Sequence, residues 1–533
     1  MRPSSSVASS GDAPPRMYFI PFPTPGHALP MSDLARLFAS RGADATLVLT
    51  RANAARLGGP VARAAAAGLR IRIHALTLPA DAAGLTGGHE SADDLPNREL
   101  AGPFAVAVDL LAPLFADLLR SKPADAVVFD GVLPWAATAA PELGIPRYAF
   151  TGTGCFALSV QRALLLHRPQ DGAASDTEPF LVPGLPDAVR LTRSRLAEAT
   201  LPGADSREFL NRMYDVERGT AGWVVNSFAD LERRYMEHYG KDTVGNEIWF
   251  EFVWQVEFVF QVISKMPESA CGRSTRHSFV RPSELTRGSR CSPSARCASS
   301  TATATTPWSA AAAGRWLDRK PARSVVYVCF GSLTRFPREQ VAELGMGLAD
   351  SGVNFVWVVG DKNAPLPDID AATAAGRGLV VRGWAPQVAV LRHAAVGAFV
   401  THCGWGAVTE AAAAGVPVLA WPVFAEQFYN EALVVGLAGT GSAMGAERGY
   451  VWGGEELGGV VVGREAVAER VRAVMADEGL RRRAREVGER ARRAVEAGGS
   501  SYEAVGALLE DVLRRRRRRR GGSGGETARA API

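Results

Sequence analysis

Cysteine is scarce in this chain. The six cysteines among 533 residues, at positions 155, 271, 291, 297, 329 and 403, include no Cys-x-x-Cys pair. That excludes a zinc ribbon or a disulfide frame and suits a reducing compartment. Cys155, Cys329 and Cys403 sit among apolar neighbours and read as inert core thiols. There is also no uncharged apolar run of about 18 residues, the length a membrane span needs. The nearest approach, 247–263, carries Glu251, Gln255, Glu257 and Gln261. The opening MRPSSSVASSGDAPP is polar and lacks the apolar core of a signal peptide. These absences predict a cytoplasmic protein without a membrane span. No Gly-x-Gly-x-x-Gly follows the first strand, which removes the nicotinamide oxidoreductases.

Charge of one sign is confined to one end. Residues 514–533 hold eight arginines and one glutamate, so the overall +5 leaves a balance of −2 for residues 1–513. A nearly neutral body gives no reason to expect nucleic acid. The run Arg514–Arg520 has no aromatic interleaving and reads as a solvated, disordered end.

What is present is a rhythm of strands and helices. A chain this long implies two domains. Strands are predicted at 17–22, 45–49, 70–76, 126–129, 146–150 and 222–226. Helices are predicted at 29–40 and 106–120, with another from Trp135. The pattern repeats with strands at 325–330, 355–359, 379–381, 397–401 and 418–421. Amphipathic helices follow at 464–477, 480–496 and 501–514. Alternation of this kind means open parallel sheets covered on both faces, so the expected fold class is α/β, with two Rossmann-like domains facing a cleft.

One stretch carries the chemistry. Residues 384–427 read WAPQVAVLRHAAVGAFVTHCGWGAVTEAAAAGVPVLAWPVFAEQ. The turn His402-Cys403-Gly404 joins a buried strand to an Ala-rich helix. That helix start offers unpaired N–H groups and a positive dipole end, where a diphosphate fits. Upstream, Pro21-Phe22-Pro23-Thr24-Pro25-Gly26-His27 links the first strand to the first helix. A helix N-terminus there would keep His27 neutral, as a general base requires. Asp130 ends another strand at the same sheet edge, with Asp109 as its rival for orienting His27.

The 44-residue stretch resembles the signature box of the plant family 1 UDP-sugar glycosyltransferases. The match rests on Trp384, Pro386, Gln387, His402, Cys403, Gly404, Trp405, Glu410, Trp421, Glu426 and Gln427. The resemblance covers about 17–243 and 315–513 and implies the GT-B fold. It also implies inverting transfer of glucose from UDP-glucose to a hydroxyl of a small lipophilic, phenolic metabolite. His27 becomes the base and Asp130 its orienting partner. Trp384, with Ala385, would stack on uracil. Gln387 and Glu410 would meet the nucleoside, with Glu410 on the ribose hydroxyls. His402, Gly406, Ala407 and the Ser332 loop would hold the diphosphate. Trp405, Glu426 and Gln427 would read sugar hydroxyls, and glutamine at the last place resembles the glucose users. No Asp-x-Asp is placed near the donor, so no metal or other cofactor is expected. The implied partners are UDP-glucose and a small acceptor, acting on a monomer. The family usually has Asn-Ser where this chain has Gly406-Ala407, which predicts weaker phosphate binding. A relic that binds ligand without turnover is the competing reading.

The expected division is a disordered 1–15, an acceptor domain over 16–243, an anomalous 244–313, a donor domain over 314–500, a bracing helix at 501–513, and the tail 514–533. The segment 244–313 lacks the family's Gly-Pro link and reads as translated intron or shifted frame, with no strand of its own.

Overall fold

The computed structural model describes residues 13–133, 135–136, 140–200, 219–242, 248–251, 310–360, 375–450 and 459–522. Most of the anomalous segment, the first twelve residues and the last eleven lie outside them.

The first domain is built from β1 (Arg16–Ile20), α1 (Pro25–Ser40), β2 (Asp44–Thr50), α2 (Arg51–Ala66), β3 (Ile71–Leu76), α3 (Ala101–Asp109), α4 (Ala112–Ser121), β4 (Ala126–Asp130), β5 (Arg147–Thr151), α5 (Cys155–His167), β6 (Gly222–Asn226), α6 (Ala229–Asp242) and β7 (Ile248–Glu251). Its sheet runs β3-β2-β1-β4-β5-β6-β7, with every neighbouring pair parallel. The strand AVVFD of β4 is buried along its whole length, as expected of a sheet covered on both faces. One cover is α1 with α2. The other includes α3 and α4, which bury Phe104, Val108, Phe115 and Leu119.

The second domain comprises α7 (Ala310–Leu317), β8 (Val325–Cys329), α8 (Arg338–Asp350), β9 (Asn354–Val359), β10 (Gly378–Arg382), α9 (Gln387–Leu391), β11 (Val396–Thr401), α10 (Trp405–Ala414), β12 (Val418–Ala420), α11 (Gln427–Glu431), β13 (Gly441–Ala443), α12 (Arg464–Ala476) and α13 (Glu478–Val495). Its sheet runs β10-β9-β8-β11-β12-β13, again parallel. In each sheet the strand order reverses at one place, between β1 and β4 and between β8 and β11. Ligands of open α/β sheets bind at the carboxyl side of such a reversal.

The last helix, α14 (Ser500–Gly522), returns to the first domain. Val505, Leu508, Leu509 and Val512 share a core with Met17, Phe19, Tyr148 and Phe150. The Tyr148 hydroxyl donates to Asp511 Oδ2 at 2.6 Å.

Four expectations need correction. Helix α1 starts at Pro25 instead of residue 29, so His27 lies in its first turn. The helix expected over 106–120 is two helices, broken around Leu110–Leu111. That whole apolar stretch, Arg98–Ser121, has the length and hydropathy of a membrane span, yet Phe104, Val108, Leu111, Phe115, Leu118 and Leu119 pack into the domain core. Residues 248–251 do form a strand, which extends the first sheet past the expected boundary at 243. Finally, Arg514–Arg520 are helical instead of disordered. Arg516 is only 2% exposed, and its Nη1 donates to the Ala13 carbonyl at 2.8 Å and faces Asp125 Oδ2 at 3.4 Å. Aliphatic burial upstream carries the helix on, and Asp511 and Asp125 give the arginine run fixed acceptors. The edge strand β13 and helix α2 were not foreseen.

Candidate active site

His27, in the first turn of α1, and Asp130, the last residue of β4, meet at the β1/β4 reversal. His27 Nδ1 lies 2.7 Å from Asp130 Oδ2. A carboxylate oxygen only accepts, so Nδ1 carries the proton and Nε2 is left as the basic nitrogen. Asp130 is 1% exposed. Its Oδ2 also accepts the Phe22 N–H at 3.1 Å, and its Oδ1 accepts the Val132 N–H at 3.3 Å. Those bonds fix the carboxylate, and the choice between Asp130 and Asp109 falls to Asp130. The His27 side chain stays 31% exposed. Phe22 meets it edge-on, with ring centres 5.7 Å apart.

The helix end does not depress the His27 pKa, contrary to the sequence reading. Burial lowers it, but the Asp130 charge, the hydrogen bond to Asp130 and the charge of Glu426 outweigh burial, and the net shift is upward. Glu426 belongs to the second domain. Burial raises the pKa of Glu426, against the charge of His27.

The second reversal supplies the opposing wall. Ser332 follows β8 and is exposed, while β11 leads into the turn before α10. Cys403 holds a left-handed conformation there, with φ of 60°. The first internal bond of α10 runs from Val408 N–H to the Gly404 carbonyl at 3.1 Å. The N–H groups of Trp405, Gly406 and Ala407 therefore lack a helical partner and point out of the helix end. His402 packs over Gly331, where a Cβ would come within 2.8 Å of its ring. Burial pushes the His402 pKa down to about 4, so it acts as a neutral imidazole and not as a cation. Trp384 stands 60% exposed beside this turn's sheet edge, an unusual state for an indole. Ala385 next to it is buried. Gln387 Nε2 donates to Glu410 Oε2 at 2.7 Å, and the Tyr327 hydroxyl donates to Gln387 Oε1 at 3.3 Å. Burial pushes the Glu410 carboxyl up to about 7, against the Gln387 bond and the Arg392 charge.

Residues 300–446 match the family model for UDP-glucoronosyl and UDP-glucosyl transferase. A flavonoid 3-O-glucosyltransferase of Fragaria ananassa is 38% identical over 509 residues, covering 93% of this chain and 96% of its own. A scopoletin glucosyltransferase of Nicotiana tabacum is 36% identical, covering 93% and 97%. The chain belongs to the UDP-glycosyltransferase family. Among solved structures, a Glycyrrhiza uralensis member complexed with glycyrrhetinic acid 3-O-monoglucuronide superposes with a TM-score of 0.80 at 31% identity, over 96% of this chain and 98% of that one. The fold is that of the GT-B glycosyltransferases.

Within this glycosyltransferase two residues expected at the sugar already make hydrogen bonds inside the protein. Trp405 is buried, and its Nε1 donates to the Asn226 carbonyl of the first domain at 2.6 Å. Its ring packs against Gly154 of the first domain, while its backbone N–H is one of the open donors at the start of α10. Gln427 is buried as well, and its Oε1 accepts the N–H groups of Val423 at 2.9 Å and Phe424 at 3.1 Å. That leaves only the amide NH₂ to meet a hydroxyl, where a carbonyl-and-amide pair was expected. Gly406 and Ala407 contribute backbone alone, and a Cβ on Gly406 would meet nothing within 4 Å. Sequence reading missed Asn430, whose Nδ2 holds the Cys403 carbonyl at 2.9 Å and so fixes the turn. Its only signal was a polar residue on the buried face of a short helix.

Proposed function

We propose that this glycosyltransferase moves glucose from UDP-glucose to a hydroxyl of a small phenolic metabolite, inverting the anomeric carbon. The observation that carries this reading is the His27 Nδ1–Asp130 Oδ2 pair at 2.7 Å, at the strand-order reversal of the first sheet. His27 Nε2 removes the acceptor proton as the acceptor oxygen attacks the anomeric carbon. The bond from that carbon to the diphosphate breaks, and Asp130 stabilises the imidazolium that forms. No side chain of the site is called on as a nucleophile, so a single displacement inverts the configuration. The N–H groups at the start of α10 take the charge gathering on the UDP leaving group, without a metal. Trp384 and Glu410 hold uracil and ribose, Gln387 orients Glu410, and Ser332 closes over the phosphates.

Glucose as the sugar rests on Glu426 and on the amide NH₂ of Gln427, whose Oε1 is taken by the Val423 and Phe424 N–H groups. The named activities of the strawberry and tobacco relatives, on a flavonoid and on scopoletin, favour phenolic acceptors. We further propose that the protein acts as a cytoplasmic monomer. UDP release from UDP-glucose, measured with a flavonol and a coumarin and without acceptor, tests the activity. Release that no acceptor stimulates would count against it.

A further inference from the structure

Trp405 is the first residue of α10, yet its side chain belongs to the other domain's packing. The indole is 3% exposed. Its Nε1 bond to the Asn226 carbonyl reaches the carboxyl end of β6. Its benzo edge lies on Gly154, the residue before α5. A Cβ on Gly154 would sit 2.5 Å from Cζ2 and 2.6 Å from Cη2 of the indole, and 2.9 Å from Glu232 Oε2. No larger residue fits there without moving one of them. Glu232 accepts the N–H groups of Cys155 at 3.0 Å and Phe156 at 2.9 Å, so it caps α5 while walling the socket. On its own side, the turn before Trp405 is held by Asn430.

Transfer needs the acceptor oxygen at His27 and the anomeric carbon on the second domain within about 3–3.5 Å, and an error of roughly 1 Å costs about 100-fold. Other cross-domain bonds exist, such as Arg335 Nη1 to the Pro96 carbonyl at 2.7 Å and Ala197 N–H to the Tyr429 hydroxyl at 3.1 Å. Those start from other elements. The Trp405 bond starts from the helix end itself.

We propose that Trp405 is a positioning residue: its indole registers the helix end that holds the diphosphate against the acceptor-side domain, so that filling the donor site tightens the start of α5. This rests on the reading of α10 as the diphosphate site. The coupling is mechanical and reciprocal. Opening the socket must displace the N–H groups that grip the phosphates, so a bound nucleotide makes opening rarer.

The test is amide hydrogen exchange on the full chain with and without saturating UDP, in wild type, Gly154→Ala and Trp405→Phe. UDP affinity is measured alongside by calorimetry. In wild type, UDP should slow exchange at 402–408 and also at 154–158, the latter by about fivefold or more. In both variants UDP should bind about threefold or more weakly, because the coupling is reciprocal, and at saturating UDP it should still protect 402–408, because the backbone donors remain. The response at 154–158 should vanish. One variant adds a methyl group and the other removes atoms, so a shared loss points to the joint and not to one steric fault. An unresponsive 154–158 in wild type, or an undiminished response in both variants, would overturn the proposal. If UDP neither binds wild type nor protects 402–408, the donor-site reading fails instead.

Discussion

Replacing Asp130 with asparagine removes a negative charge and almost no volume. The contacts of Asp130 predict that the exchange costs activity. Asp130 Oδ2 accepts from both His27 Nδ1 and Phe22 N–H, and Oδ1 accepts from Val132 N–H. An asparagine with its carbonyl toward His27 turns its NH₂ onto the Val132 donor. The opposite orientation offers NH₂ to His27 Nδ1, which drives the ring proton to Nε2 and abolishes the base. A charge-assisted hydrogen bond is worth about 1.5–3 kcal/mol. At about 1.36 kcal/mol per decade, kcat should fall roughly 10- to 150-fold. The pH profile gives a second reading. His27 works as the neutral base, so activity is lost as pH falls through its pKa. That pKa stands above the ordinary value, chiefly through Asp130 acting against burial. Without the charge, burial prevails and the acid limb should move to lower pH. The variant should therefore lose least, relative to wild type, on the acid side. UDP release with an accepted phenol, measured across pH, is the assay. A variant with wild-type kcat, or an acid limb that stays in place, would show that Asp130 does not orient or charge His27.

Three further outcomes follow from the geometry. His27→Ala should keep UDP binding by calorimetry and lose about 10²- to 10⁴-fold in turnover, the contribution of a general base; a small loss would remove His27 from the mechanism. Gly406→Asn places a donor where a Cβ meets nothing, and one hydrogen bond to phosphate of about 1.5–3 kcal/mol should tighten the UDP Kd by about tenfold or more. An unchanged Kd would mean that the side chain does not reach the phosphates. Arg516→Ala breaks a largely buried pairing with Asp125 and the Ala13 carbonyl, and should cost about 3 kcal/mol in denaturant unfolding of the first domain. An unaltered midpoint would return the arginine run to the status of a passive end.

Much of this was legible because parallel sheets advertise themselves. Buried runs such as AVVFD and VGAFVT can only be central strands, and their boundaries fell within about two residues. The placement of site residues was legible where it follows from a strand's carboxyl end, as with His27, Asp130 and His402. It was not legible where a side chain's orientation depends on neighbours outside its own strand end. Trp405 and Gln427 carry side chains that could read a sugar, but their orientation is decided by Asn226 in one case and by two local N–H groups in the other. The His27 shift failed for the same reason, since a buried carboxylate at 2.7 Å outweighs a helix end. Arginine repetition suggested disorder, because composition does not show that Asp125 and Asp511 wait to pair with it.

The anomeric configuration of the product tests the central claim most directly. UDP-glucose carries an α-linked glucose, and attack by an oxygen that His27 has deprotonated leaves no room for a second inversion. Wild type should be incubated with UDP-glucose and a panel of flavonols, coumarins, simple phenols and hormone acids, with a chelator present. Proton magnetic resonance of the purified product should show a β-glucoside formed in step with UDP. An α-glucoside, or UDP released with no glucoside, would contradict single displacement at this site.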